Sequence, residues 1–170
     1  MNFQRLFFYI GNVVLIVSLS FASKFWIFTN ILGKYLTDPS APVSLVYVRN
    51  NGAAFNLFAG QNEFLIVFSV IILLYFVIYI LTYKLYLSDG FLMLMAFFSA
   101  GIIGNLYERI VLQYVEDFIK INMFDFPVFN LNDIFITTGA LCLAIIVIND
   151  RYSEYRDIKD VAEDDIYRDL

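Results

Sequence analysis

The 20 residues Phe64–Tyr83 read FLIVFSVIILLYFVIYILTY and contain no charged side chain. At about 1.5 Å per residue, a helix of this length spans the ~30 Å hydrocarbon core of a bilayer. The composition of the whole chain agrees, because 61% of its 170 residues are hydrophobic and only 16% are charged. A soluble domain carries about 25% charged residues. The sequence therefore predicts a membrane domain that contains this helix.

Three further apolar runs flank this segment and predict spanning helices over residues 6–28, 91–111 and 131–149. Residues 1–150 are expected to form one membrane domain, and residues 151–170 a charged tail that is solvated and partly disordered. Four spans place both termini on the same side of the membrane. A weak excess of Lys and Arg on that side predicts that both termini are cytoplasmic.

The segment 30–62 connects the first two predicted helices and is polar enough to lie outside the bilayer. Within it, Ser44–Arg49 has the composition of a strand, and Asn50-Asn51-Gly52 favours a turn. Ala53–Phe58 can return as a second short strand. We therefore expect an all-α integral membrane protein of four transmembrane helices, with a small extracytoplasmic β-hairpin.

The residues that the chain lacks exclude several functional classes. It has no histidine, so Ser-His-Asp and Cys-His nucleophiles and His-ligated metals are excluded. Its net charge is −5, and it has no basic surface of the kind that binds nucleic acid. The sequence predicts a monomer with no metal, no cofactor and no nucleic-acid partner. Carboxylates, lysines and tyrosines remain for acid–base chemistry.

Polar side chains concentrate between the third and fourth apolar runs, where they are costly and suggest function. Ile134–Ile148 is only 15 residues long, whereas a span needs about 20. The fourth helix must therefore begin near Asn130, which places Asp133 roughly one turn inside the outer boundary. The same topology predicts an active site near the outer face, because it brings further polar groups to this side: Lys24, Asn50, Asn105, Arg109 and Asp117.

Asp117 and Asp133 are the candidate catalytic pair. Two carboxylates in a low-dielectric site share a proton, so one can activate water while the other polarises a peptide carbonyl. Which aspartate has which role stays open, because coupled groups titrate as a unit. Each also has a structural explanation. Asp133 suits a helix N-terminus, and Asp117 could be a loop acid paired with Lys120 or Arg109.

Two other chemistries compete with this pair. Ser23 beside Lys24, or Ser20 one turn earlier, could form a Ser–Lys dyad with a desolvated lysine as base. Lys24 is more simply explained as an anchor whose ammonium snorkels to the interface. A small proton-coupled carrier could use the buried acids as a relay, but four spans without an internal repeat argue against it.

Four motifs occur in order along the four-helix pattern. They are Arg49-Asn50-Asn51-Gly52-Ala53-Ala54-Phe55, Gly101-Ile102-Ile103-Gly104-Asn105-Leu106-Tyr107-Glu108-Arg109, Val115-Glu116-Asp117-Phe118 and Phe126-Pro127-Val128-Phe129-Asn130-Leu131-Asn132-Asp133. Together they resemble the lipoprotein signal peptidases, also called signal peptidase II. The resemblance covers about Ser20–Ile148.

This resemblance implies a multi-pass aspartyl endopeptidase of the bacterial inner membrane. Its substrate would be a prolipoprotein whose cysteine already carries diacylglycerol, and the cut would fall just before that cysteine, among membrane lipids. The resemblance implies that Asp117 and Asp133 are catalytic and that a small β element covers the site. The positions it carries over as binding or supporting the site are Lys24, Asn50, Gly52, Asn105, Arg109 and Asn130.

The chain departs from the family pattern in four places. Ser20 stands where the family usually has Asp, and Ala100, Glu108 and Asn132 stand in place of Gly, Asp and Ala. None of these changes removes a carboxylate of the pair. The change at Ser20 keeps open an alternative function, a catalytically altered relative that binds lipoprotein precursors without cutting them efficiently.

Overall fold

The computed structural model describes residues 3–31, 40–53, 57–83 and 87–168. Its elements, in chain order, are α1 (Phe3–Ile31), β1 (Val43–Asn50), α2 (Asn62–Tyr83), α3 (Asp89–Val111), β2 (Val115–Ile121) and α4 (Leu131–Arg168). Within the described ranges, four helices are long and apolar enough to cross a membrane. The predicted class, four spanning helices with a small β element, is confirmed.

Helix α3 lies at the centre of the bundle and packs against α1, α2 and α4. Half of its apolar window is buried inside the protein, compared with 17% or less in the other three helices, whose side chains face outward. Glycines allow the close approach of α3 and α4. A Cβ added at Gly101 would lie 2.7 Å from Ile136 Cγ1, and one at Gly139 would lie 2.9 Å from Phe98 Cβ. Small residues therefore bring the two helices that carry most of the polar cluster together.

Helix α4 continues past the predicted end of its membrane span at residue 149 and reaches Arg168. The charged tail was expected to be partly disordered, but its backbone is helical up to that residue. Residues 151–168 contain no glycine or proline, the two residues that most strongly interrupt a helix. Residues 151–168 therefore continue the fourth helix.

The sheet consists of β1 and β2, which pair antiparallel from Val43 opposite Ile121 to Asn50 opposite Val115. β1 therefore takes its partner from the α3–α4 connection rather than from a hairpin within 30–62, and the described residues of the predicted second strand, 53, 57 and 58, lie in a bend and a turn. Residues 54–56 of that strand lie outside the described chain. On either side of them, the Ala53 N–H donates to the Leu57 carbonyl at 2.7 Å. The loop uses these backbone groups internally, which leaves β1 to pair with a strand from the α3–α4 connection.

Candidate active site

Asp117 lies in β2 opposite Val48, and its side chain is only 1% exposed. Its two carboxylate oxygens accept hydrogen bonds from different elements. Asn50 Nδ2 at the end of β1 donates to Oδ2 at 2.8 Å, and Asn130 Nδ2 before α4 donates to Oδ1 at 2.6 Å. The structural alternative, a loop acid paired with Lys120 or Arg109, is wrong because Asp117 is a strand residue whose oxygens bind asparagine amides.

The surroundings of Asp117 change its acidity. Burial and the nearby charge of Asp133 raise the pKa of the Asp117 carboxyl from 3.8 to about 6. The hydrogen bonds from Asn50 and Asn130 favour the ionised form and oppose this rise. The raising effects are the larger ones, so the pKa of Asp117 lies at about 6, in the range where a carboxyl can both hold and release a proton.

Asp133 lies in the first turn of α4 and forms a reciprocal capping arrangement with Asn130. Its Oδ2 accepts the Asn130 N–H at 3.0 Å, while Asn130 Oδ1 accepts the N–H groups of Asn132 at 2.7 Å and Asp133 at 3.3 Å. These bonds satisfy donors that a helix start leaves without partners. Asn130 thus contacts Asp133 with its backbone and Asp117 with its side chain, and brings the two carboxylates to one place.

Strand β2 places Asn130 at this point. Phe129 exchanges backbone hydrogen bonds with Ile119: its N–H donates to the Ile119 carbonyl at 3.0 Å and its carbonyl accepts from the Ile119 N–H at 2.8 Å. This short bridge adds a third stretch of chain beside β2 just before α4 begins. Asn130 is the next residue, fully buried, and its amide therefore faces Asp117.

Asn105 on α3 holds the other oxygen of Asp133. Its Nδ2 donates to Asp133 Oδ1 at 2.8 Å, and its own Oδ1 accepts from Asn132 Nδ2 at 2.9 Å. Asn130 Nδ2 also approaches Asn105 Oδ1, at 3.4 Å. Among the candidate site residues predicted from the sequence, Asn132 was absent, although its amide takes part in this network. The signals for it in the sequence were its place directly before Asp133 and its departure from the Ala of the family pattern.

Arg109 fixes the loop that follows β1. Its Nη2 donates to the Gly52 carbonyl at 2.9 Å and its Nη1 to the Asn105 carbonyl at 3.4 Å. Asn50 Oδ1 accepts the Gly52 N–H at 2.8 Å, so the same loop is held from both sides. Arg109 is 9% exposed, and the charges of both aspartates act on its guanidinium. Arg109 therefore offsets negative charge in the cluster and positions the strand end that carries Asn50.

Lys24 does not reach the aspartates through a hydrogen bond. Its Nζ lies 2.5 Å from Glu108 Oε2 in an ion pair whose side chains are 5% and 3% exposed. The interpretation of Lys24 as a snorkelling anchor is wrong, because the pair is buried. The same Glu108 oxygen accepts the Glu116 N–H at 3.1 Å, so the pair attaches α1 and α3 to β2 one residue before Asp117.

The structure does not support a Ser–Lys dyad. Lys24 Nζ pairs with Glu108 Oε2, and Ser23 Oγ donates to the Ser20 carbonyl at 2.7 Å. Neither group is arranged as a nucleophile with its base. Ser20 itself is 1% exposed, one turn before Lys24.

A cavity of about 1340 Å³ opens onto both carboxylates. Its lining includes the polar residues Asn50, Asp117 and Asp133 and the loop residues Gly60 and Phe126. The lining is mostly apolar, and a large part of it comes from α2, α3 and α4: Phe64, Leu65, Phe68, Ile72, Phe98, Ile102, Ile134 and Ile136. The sequence did not reveal this wall, because these residues lie in apolar runs where the lining face has no distinctive composition.

The fold and the site define a multi-pass membrane protein in which a buried carboxylate and a half-buried one, both held by asparagine amides, meet a largely apolar cavity. Comparison with known proteins identifies the family within this class. Residues 12–149 match the family described as Signal peptidase (SPase) II, and the chain belongs to that family.

Similar proteins include the lipoprotein signal peptidases of Streptococcus pyogenes serotype M2 (strain MGAS10270) and serotype M5 (strain Manfredo). Each is 37% identical over 143 residues, which is 84% of this chain and 92% of the relative. Two solved structures described as bacterial membrane enzymes, obtained in meso at 2.3 and 1.9 Å resolution, superpose with a TM-score of 0.69 at 26% identity. The match covers 84% of this chain and 88% and 93% of those two chains.

Proposed function

We propose that this protein is an aspartic endopeptidase that removes signal peptides from diacylglyceryl-modified prolipoproteins, cutting just before the lipidated cysteine. The family is a protease family, and its curated relatives carry the name lipoprotein signal peptidase. One observation carries the aspartic mechanism. Asp117 and Asp133 line the same cavity, and both are hydrogen-bonded to Asn130.

The chemistry follows from a proton shared between the two carboxyls. The ionised member takes a proton from a water molecule as the water oxygen attacks the scissile carbonyl carbon. The protonated member donates to the carbonyl oxygen. The carboxyl that took the water proton then passes it to the leaving amine as the C–N bond breaks, and the other carboxylate regains its proton from a hydroxyl of the tetrahedral intermediate. Asn50 and Asn105 keep the carboxylates oriented, each through a hydrogen bond of 2.8 Å.

The cavity suits an acylated, apolar substrate. Its wall along α2 and α4 is built from residues such as Phe68, Ile72 and Ile136, which can contact lipid chains and the apolar part of a signal peptide. Asp117 and Asp133 line the same cavity. A substrate anchored in the bilayer can therefore present its scissile bond to Asp117 and Asp133 while its acyl chains stay in an apolar environment.

We further propose that both termini are cytoplasmic, that the active site lies near the outer face of the bacterial membrane, and that the enzyme acts as a monomer without nucleic acid. Lys24, Gly52, Arg109 and Asn130 then serve as site-supporting residues. The contacts of Lys24 with Glu108 and of Arg109 with Gly52 support this role, because both stabilise the chain segments that hold the aspartates.

The test is cleavage of a diacylglyceryl prolipoprotein by the purified protein and its Asp117→Asn and Asp133→Asn variants. We expect each variant to lose activity by about a thousandfold or more, because an amide can neither accept nor hold the shared proton. Asp125→Asn is the matched control, since Asp125 is an exposed acid in the turn after β2. It should retain the rate of the unsubstituted enzyme.

Two results would contradict the proposal. Cleavage that survives both active-site substitutions would exclude the carboxylate pair as the catalyst. Substrate that binds the unsubstituted enzyme without being cut would favour the altered relative, a binding protein of the same family.

A further inference from the structure

Asn132 is a buried amide that the proposed chemistry does not use. It is 1% exposed in the first turn of α4, and its Nδ2 donates to Asn105 Oδ1 at 2.9 Å. Its Oδ1 has no hydrogen-bond partner in the described part of the chain. Burying a polar oxygen without a partner costs stability, so packing alone would favour an apolar side chain at this position. The amide therefore calls for a functional explanation.

The helix facing Asn132 makes room for this amide. Gly104 of α3 has no side chain, and a Cβ built there would lie only 2.7 Å from Asn132 Cγ. The three nearest atoms to that Cβ all belong to the Asn132 amide. The space for the amide thus depends on a glycine on the facing helix.

The position of the Asn132 amide matters for the orientation of Asn105. An asparagine amide has a donor end and an acceptor end, and Asn105 must turn its Nδ2 toward Asp133 Oδ1, where the hydrogen bond is 2.8 Å. Its Oδ1 then needs a donor. Asn132 supplies one at 2.9 Å, whereas the second approach, from Asn130, is 3.4 Å and at the limit of a hydrogen bond.

We propose that Asn132 is a positioning residue of the peptidase reaction, which fixes the amide of Asn105 and through it the carboxylate of Asp133. The inference rests on the proposed function. Asn132 does not line the described cavity, so it acts on the catalytic step rather than on substrate binding.

Steady-state cleavage kinetics of Asn132→Ala and Asn132→Leu test this role. We expect kcat to fall about tenfold in both variants, as for other residues that orient catalytic groups, with KM within about twofold of the unsubstituted enzyme. The thermal midpoint in detergent should not fall in the leucine variant, because that side chain fills the space and removes the unpaired oxygen. Asn149→Ala, on an exposed residue of the same helix, is the matched control and should leave kcat unchanged.

Two combinations separate positioning from packing. Adding Asn132→Ala to Asn105→Ala should cause no further loss of kcat, because one residue acts through the other. Gly104→Ala should reproduce the tenfold loss by displacing the Asn132 amide, and it should have no further effect on kcat in the Asn132→Ala background.

Unchanged kcat in both Asn132 variants would overturn the inference. So would losses that add to that of Asn105→Ala, or a fall in kcat that is matched by a lower thermal midpoint in the leucine variant. Failure of the unsubstituted enzyme to cleave is a different result, because it would contradict the proposed function itself.

Discussion

Opposing influences act on Asp117, and their balance sets how the rate should depend on pH. Burial and the charge of Asp133 raise its pKa to about 6, against the effect of two asparagine hydrogen bonds. The active pair carries one proton, so ionisation of the second carboxyl should end activity on the alkaline side. We therefore expect the rate to fall above about pH 6. Because the folded protein holds this proton more tightly than the unfolded chain, the stability contributed by Asp117 is fully present below its ordinary pKa of 3.8 and is lost as the pH rises from there through about 6.

Substitution of Asn50 should move this inflection. Asn50→Ala removes a 2.8 Å hydrogen bond that favours the ionised form of Asp117, so the pKa rises further. A hydrogen bond to a charged group contributes about 1.5–3 kcal/mol, and one pH unit corresponds to about 1.4 kcal/mol. We expect the alkaline inflection of the rate to move up by about one pH unit, measured from cleavage rates between pH 5 and 9.

Asn51→Ala is the control for this shift, since Asn51 is exposed and is the next residue in the chain. Its inflection should coincide with that of the unsubstituted enzyme. An inflection that stays in place in Asn50→Ala, or that moves to lower pH, would show that the carboxyl of Asp117 does not govern the profile.

At the scale of elements, the four helices could be predicted because hydropathy is a local signal. Each predicted span lies within its helix, as with 91–111 inside Asp89–Val111. The strand pairing could not be predicted, because β1 and β2 are separated by more than sixty residues and by two helices. The sequence around Asn50 offered a nearer partner. Only the folded chain shows that the backbone groups of Ala53 and Leu57, on either side of residues 54–56, bond to each other.

The candidate site also has parts that could be predicted from the sequence and parts that could not. Asp133, Asn130 and Asn105 could be selected because polar residues in apolar helices are conspicuous. The hydrogen bonds between these residues could not be predicted, since amide orientations depend on contacts between three separate elements. Lys24 shows this limit most clearly. Its position near the end of an apolar run suggested an anchor, and its partner Glu108 lies on another helix.

Two ion pairs join α1 to α3 and differ mainly in burial. Lys24 and Glu108 are 5% and 3% exposed, whereas Arg5 and Asp89 are 33% and 69% exposed. Lys24→Met leaves a buried carboxylate without its partner and should lower the free energy of unfolding by about 3–5 kcal/mol. Arg5→Met should lower it by less than about 1 kcal/mol. Chemical unfolding in detergent micelles measures both.

The double variant Lys24→Met with Glu108→Gln should recover most of the loss, because the uncompensated charge is gone and the glutamine can still accept from the Glu116 N–H. Equal effects of Lys24→Met and Arg5→Met would contradict this account of the buried pair. So would a double variant that is no more stable than Lys24→Met alone.

At the scale of the whole molecule, the alternation of spans explains why one end of the bundle holds the site. The end of α1, the end of α3 and the start of α4 lie on the same side, and the sheet connects them there. Lys24, Asn105 and Asp133 come from these three helix ends. An even number of spans returns both termini to the opposite side. The side of the membrane that holds the active site therefore also determines the side that holds the termini, and one experiment answers the question for both.

Labelling of single cysteines decides that question. In a Cys142→Ser background, Asp125→Cys places a thiol in the exposed turn after β2, and Tyr152→Cys places one on α4 beyond its span, where Tyr152 is 67% exposed. Cytoplasmic termini require that a membrane-impermeant maleimide labels the first variant in intact cells and the second only after permeabilisation. The Cys142→Ser protein alone measures background. Labelling of Tyr152→Cys in intact cells, with Asp125→Cys protected, would place the carboxylates at the cytoplasmic face, where a substrate processed after export could not reach them.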